Sequence, residues 1–195
     1  WDDDVPVVVT GAIRNASKPG ADGPANLTAA VATAASPAAR GLGALLVMND
    51  QIHAARYARK GNSGNVAAFV SPTIGPVGYL AEGVPVIPMR VSRTPRVETP
   101  AVPVTARVAL LTTFMGDDGA LLPAVVAGGF AGLVVGGFGG GHLPAAVAEH
   151  PAFEELLAQV PVVLASRANS GEPLRATYSG FAGSETELAR RGVIS

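Results

Sequence analysis

Lys60 heads the residues whose type and setting could do chemistry. It stands in Ala58-Arg59-Lys60-Gly61-Asn62-Ser63, and it and Lys18 are the only lysines in a chain whose other cations are arginines. Arginine keeps its proton, whereas a lysine desolvated by its surroundings can lose one and serve a hydroxyl nucleophile as base or orienting partner. A solvated surface cation is the competing reading. Polar residues also close four apolar runs: Thr10-Gly11, Asn49-Asp50, the glycine-rich stretch from Gly136 to His142, and Ser166-Arg167. In open α/β sheets, ligands sit at such carboxyl ends. The glycine run resembles a dinucleotide loop between strand and helix, but no acidic residue lies on a suitable following strand, so no cofactor is assigned. His53, His142 and His150 lack ligand-like spacing and cysteine is absent, so no metal is assigned either.

The elements that must position these groups follow from hydrophobic runs and breakers. Val7 to Thr10 is a continuous β-branched run, the pattern of a buried parallel strand. A loop rich in Gly, Pro and Asn leads to a helix over Asn26 to Ala35, with Asn26 as its cap and Leu27, Ala30, Val31 and Ala34 on one face. Gly43 to Met48 is a second buried strand, which makes a βαβ unit. Gln51 to Val66 reads as a polar, basic stretch, followed by weaker edge strands at Phe69 to Val70 and Val77 to Leu80. Pro95, Pro100 and Pro103 mark an extended linker at 91–105. Beyond it, strands at Val108 to Leu111, Leu133 to Val135 and Val160 to Ala165 alternate with helices at Gly119 to Ala127 and, interrupted near Pro151, Leu143 to Gln159. The expected fold class is α/β: two doubly wound parallel-sheet domains, at 1–90 and 106–195, joined by the proline-rich linker.

Composition narrows the function classes. Of the 195 residues 48% are hydrophobic and 15% charged, a balance that builds a core and argues against disorder. A net charge of −1 without a basic stripe argues against nucleic-acid binding. No apolar stretch is long enough to span a bilayer, so no membrane partner is expected. The acidic start Trp1-Asp2-Asp3-Asp4 carries no initiator Met and runs directly into a strand, which reads as a truncation or cleavage point.

Five stretches, in order along the chain, resemble the bacterial L-asparaginases. Val8-Val9-Thr10-Gly11-Ala12-Ile13-Arg14 with Ala21-Asp22-Gly23-Pro24-Ala25-Asn26-Leu27 is similar to the family's "TGAMR…ADGPxNL" stretch. Val47-Met48-Asn49-Asp50 and then Ala58 to Ser63 resemble its "VMND…xTKTNT" stretch, and Phe69 to Tyr79 its "GPLGY" segment. Val134 to His142 and Val163 to Arg167 resemble the glycine-rich turn and "SR" strand end of its C-terminal domain.

The resemblance implies an amidohydrolase that converts L-asparagine to aspartate and ammonia. It would be a homodimer or homotetramer with sites shared between neighbouring subunits, using threonine hydroxyls from segments preceding the stretch matched at Trp1. Thr10 matches a different family position. On this reading Lys60 is the catalytic residue carried over, and the isolated chain is expected to be inactive. Ala12 matches the position where backbone approaches the substrate side-chain amide, tight packing being the alternative. Asp22 belongs to a stretch near the pocket rim, although turn formation alone explains Asp-Gly-Pro. His142 stands where relatives place Asn or Ser reaching a neighbour's pocket, and an imidazole could donate to a substrate carboxylate. The family offers a glutamate from the loop after Arg167; Tyr178, Glu185 and Glu187 are the candidates here. The resemblance also implies a final helix beyond Ser195. L-glutamine as substrate, an asparaginase-like subunit of a tRNA-dependent amidotransferase and a non-catalytic amino-acid sensor are the rival functions. The expected compartment is the cytoplasm, with periplasm or secretion left open.

Overall fold

The computed structural model describes residues 4–92, 105–168 and 170–195. The chain divides into two compact units, residues 1–99 and 100–195. Most of the segment expected as a linker at 91–105 lies outside the described residues.

The first unit contains β1 (Val7–Val9), α1 (Gly23–Ala35), β2 (Ala44–Met48), β3 (Gln51–Ala54), β4 (Arg59–Lys60), β5 (Phe69–Val70), β6 (Gly78–Ala81) and β7 (Val84–Val86). Its main sheet has the order β1-β2-β3-β6-β7. Only β1 and β2 run parallel, with α1 as their crossover; the remaining pairs are antiparallel. The sheet is therefore mixed rather than wholly parallel. The reason is local. Asn49 and Asp50 both adopt positive φ (51° and 57°), and Met48 pairs with Gln51 across them. That is the two-residue geometry that folds a strand straight back on its neighbour. Glu82 and Gly83 repeat it, with Ala81 opposite Val84. Pro85 is accommodated because β7 is the outer strand. The stretch Gln51 to Val66, expected as polar and basic, therefore opens with β3, whose Ile52, His53 and Ala54 are buried.

Helix α1 also departs from expectation. It begins at Gly23 with Pro24 in its first turn, and Asp22 rather than Asn26 precedes it. Its buried face is Asn26, Ala29, Ala30 and Thr33, while Leu27 and Val31 are 59% and 62% exposed. The buried stripe lies about one residue from the most hydrophobic one because its polar members are satisfied internally. Thr33 Oγ1, for instance, donates to Ala29 O at 2.8 Å. Leu45, Val47, Ile52 and Val77 complete this core.

The second unit is a regular α/β layer: β8 (Val108–Thr112), α2 (Leu122–Ala127), β9 (Gly132–Gly137), α3 (Ala145–Ala148), α4 (Pro151–Gln159), β10 (Val162–Ser166) and α5 (Glu185–Arg190). The sheet order is β10-β9-β8, all parallel, and Ile194 bridges to the free side of β10. Phe153, Leu122, Leu133, Leu143 and Leu188 are fully buried together. Each such side chain contributes roughly 1.5–3 kcal/mol through burial.

Candidate active-site residues

At the carboxyl end of β1, side chains rather than a ladder hold the backbone. Thr10 Oγ1 donates to Val47 O at 2.7 Å, so its hydroxyl proton is committed to the neighbouring strand. Asn26 Nδ2 donates to Gly11 O and to Asp22 Oδ2, both at 3.0 Å. Its Oδ1 accepts from Asn49 N at 2.9 Å, just past β2. Asp22 accepts from Ile13 N at 3.0 Å and Arg14 N at 2.8 Å. These two amides, foremost, hold the Asp22 carboxyl below its usual range, with Asn26 adding to the effect. Asp22 is thus engaged with its own loop. Ala12, between Gly11 and Ile13, is exposed, and its N–H and C=O have no partner among the described residues. A strand end where one residue's N–H and C=O lack partners can bind a polar ligand through backbone alone.

Lys60 lies on the hairpin formed by β4 and β5, opposite Phe69. The turn beyond it is organised by Asn62, whose Oδ1 accepts from Gly64 N and Asn65 N at 2.9 Å. Lys60 is exposed, and its ammonium contacts no described hydrogen-bonding or ionic partner. The desolvated cleft expected around it is not formed by the described residues of the first unit. Position on a hairpin rather than burial is what the fold provides.

The second unit gathers a polar cluster around Glu185. Gly183 is packed so closely on Leu143 that an added Cβ would lie 1.9 Å from Leu143 O, and Leu143 N donates to Gly183 O at 2.9 Å. Ser184 then caps α5, its hydroxyl accepting from Glu187 N. This docking places Glu185, 4% exposed, beside His142 at the end of the glycine turn. His142 Nε2 lies 3.0 Å from Glu185 Oε2, and the Tyr178 ring meets the imidazole edge-on with centroids 4.6 Å apart. Glu185 Oε1 accepts from the backbone N–H of Thr177, at 2.8 Å, and of Tyr178. Burial by itself would raise this carboxyl; the amides of Tyr178, Glu185 and Thr177 together with His142 outweigh it and hold it below its usual range. Of the three candidates after Arg167, Glu185 at the start of α5 is therefore the buried, oriented carboxylate. Glu187 pairs with Arg190 at the surface.

Other expectations resolve simply. Gly136 and Gly137 belong to β9, and Arg167 N donates to Gly137 O at 3.0 Å, its guanidinium lying over the Phe138 ring. The helix after the glycine turn has four residues, too few for an anion-binding terminus. His53 is buried with Nδ1 2.9 Å from Ser71 Oγ. An apolar depression lined by Leu110, Phe114, Leu121 and Val147 shares no lining residue with the Glu185 cluster. No described helix is long and apolar enough to cross a membrane.

Comparison with known proteins finds matches for both units. Residues 1–91 match the family described as "Asparaginase, N-terminal", and residues 107–195 the "Glutaminase/Asparaginase C-terminal domain". The L-asparaginase of Bacillus licheniformis is 32% identical over 194 residues, covering 99% of this chain and 58% of that protein. L-asparaginase 2 of Escherichia coli is 36% identical over 148 residues, 72% of this chain and 41% of that protein. The crystal structure of a probable cytoplasmic L-asparaginase from Campylobacter jejuni superposes with a TM-score of 0.79 at 32% identity, covering 86% of this chain and 55% of that one. The chain thus spans between 41% and 58% of the length of these relatives. It belongs to the bacterial L-asparaginase family, with both the N-terminal and the C-terminal domain represented.

Proposed function

We propose that the protein containing this chain hydrolyses the side-chain amide of L-asparagine to L-aspartate and ammonia. The observation that carries the reading is Ala12. It stands exposed at a strand end with backbone polar groups that have no partner among the described residues, inside a match that runs over 99% of the chain to a protein named L-asparaginase. In this reading the backbone at Ala12 engages the substrate amide. A hydroxyl from a part of the protein outside these 195 residues attacks its carbonyl carbon, Lys60 supports that hydroxyl as base or orienting cation, ammonia leaves, and water releases the acyl group. In the second unit, taken by itself, Glu185 is held as a fixed negative charge by His142 and the 177–178 amides. Asp22 acts through the loop it closes. No cofactor or metal enters the scheme.

The working assembly is a homodimer or homotetramer in the cytoplasm; the Campylobacter jejuni neighbour's description as cytoplasmic supports the location. Light scattering and cell fractionation of the full-length protein check both points. L-glutamine is the second substrate to weigh, because a glutaminase-asparaginase of Acinetobacter glutaminasificans is 45% identical over 82 residues. The test is ammonia release by the full-length protein. Preference for L-asparagine is expected; release from neither amide refutes the reading.

A further inference from the structure

The polar groups of Asn26 are spent in a way that local helix structure does not require. The residue is 3% exposed in the first turn of α1, and its amide joins two separate pieces of backbone and the Asp22 carboxylate. Both N–H groups donate, to Gly11 O beyond β1 and to Asp22 Oδ2, and its oxygen accepts from Asn49 N beyond β2. Asp22 passes the constraint on to Ile13 N and Arg14 N. Both peptides flanking Ala12 are consequently tied to one buried amide, while Ala12's own N–H and C=O have no partner among the described residues. A buried amide with all its hydrogen bonds made is rigid, and one that loses them leaves several groups unsatisfied together.

We infer that Asn26, acting with Asp22, is a positioning residue that fixes the Ala12 backbone in the orientation that receives the substrate's side-chain amide. This rests on the function proposed above. Misorienting a binding group by a fraction of an ångström weakens transition-state contacts before it unfolds anything. The effect of disturbing Asn26 should therefore fall on kcat/KM with the fold retained.

The diagnostic variant is Asn26→Asp in the full-length protein. The shape is kept, Asn49 N keeps an acceptor, and the two donors are replaced by a carboxylate next to Asp22. Two carboxylates at this spacing cannot both ionise freely, so lowering the pH returns a proton between them and with it one donor. The expected result is a loss of at least tenfold in kcat/KM for L-asparagine at pH 8. Part of that loss should be recovered, relative to the unaltered protein, as the pH falls to about 5.5. Amide exchange provides a readout independent of activity: Ile13 and Arg14, held by an Asp22 that has lost its Asn26 donor, should exchange at least tenfold faster, while Asn49, which keeps its acceptor, and Val47 stay unchanged. Asp22→Asn, which sets donor against donor, should show the same exchange pattern and no recovery at acid pH.

Unchanged kcat/KM alongside faster exchange would overturn the positioning role. Unchanged exchange at Ile13 and Arg14 would overturn the network itself. Loss of Val47 protection as well would show a merely structural residue. If the unaltered protein releases ammonia from neither asparagine nor glutamine, the proposed function fails and this inference with it, a result distinguishable from failure in the variants alone.

Discussion

Replacing Glu185 by alanine removes the acceptor for the Thr177 and Tyr178 amides and the partner of His142 in one step. A hydrogen bond to a charged acceptor contributes about 1.5–3 kcal/mol. Thr177 and Tyr178 lie on an exposed loop, where water takes over part of the role, so the summed loss should be about 2–4 kcal/mol rather than the full total. Glu185→Gln keeps an oxygen for both amides and exchanges a charged acceptor for a neutral one, a loss of about 1 kcal/mol. Amide exchange in the central strand β9 reads this directly, and β2 in the first unit serves as internal control. The alanine variant should speed β9 exchange roughly thirtyfold to several hundredfold, and the glutamine variant about fivefold. The pH dependence provides a second reading. Because the folded carboxyl titrates below its usual 4.5, the unfolded chain binds more protons in that window. Stability from Glu185 is then complete above pH 4.5 and lost as pH falls through the folded value; the glutamine variant should lack this loss. If alanine proves as mild as glutamine, or β2 is affected equally, Glu185 does not organise the second unit's cluster.

Three further outcomes follow from the packing. His53 has a buried Nε2 with no partner among the described residues, and burial lowers its proton affinity below the usual 6.5. The unfolded chain therefore takes up a proton that the folded one resists, and first-unit stability should fall as pH drops below 6.5, a slope that His53→Gln removes in denaturant titrations. Phe153→Ala empties a fully buried site among Leu122, Leu143 and Leu188 and should cost about 3–5 kcal/mol, read as a lower denaturant midpoint for the second unit. Gly183→Ala forces a methyl against Leu143 O and should cost about 1–3 kcal/mol, whereas Gly64→Ala, with no neighbouring atom within 4 Å, should be neutral in the same thermal melt.

What the sequence discloses and what it hides follow a physical division. The second unit is legible because Val108 to Leu111, Leu133 to Val135 and Val160 to Ala165 are continuous apolar runs separated by Gly and Pro breakers. Strand β3 is hidden because Gln51 and His53 break its pattern, and only the left-handed Asn49-Asp50 pair reveals the hairpin. Asn26 reads as a helix cap because a polar residue at a helix start is usually one; its long-range role depends on Gly11 and Asn49, 15 and 23 residues away. Glu185 is indistinguishable from Glu187 by type, and its 43-residue separation from His142 is bridged only by the folded chain. Lys60 stands out by type and by the stretch Ala58 to Ser63 around it, since its hairpin gives it no described partner.

The central claim is best tested at that lysine, by measuring asparagine hydrolysis by full-length protein carrying Lys60→Met beside the unaltered enzyme. An exposed side chain should be replaceable without loss of stability, while removing proton-transfer support to the nucleophile should lower kcat by about 10²–10⁴-fold. Undiminished turnover in a folded Lys60→Met protein would contradict the account.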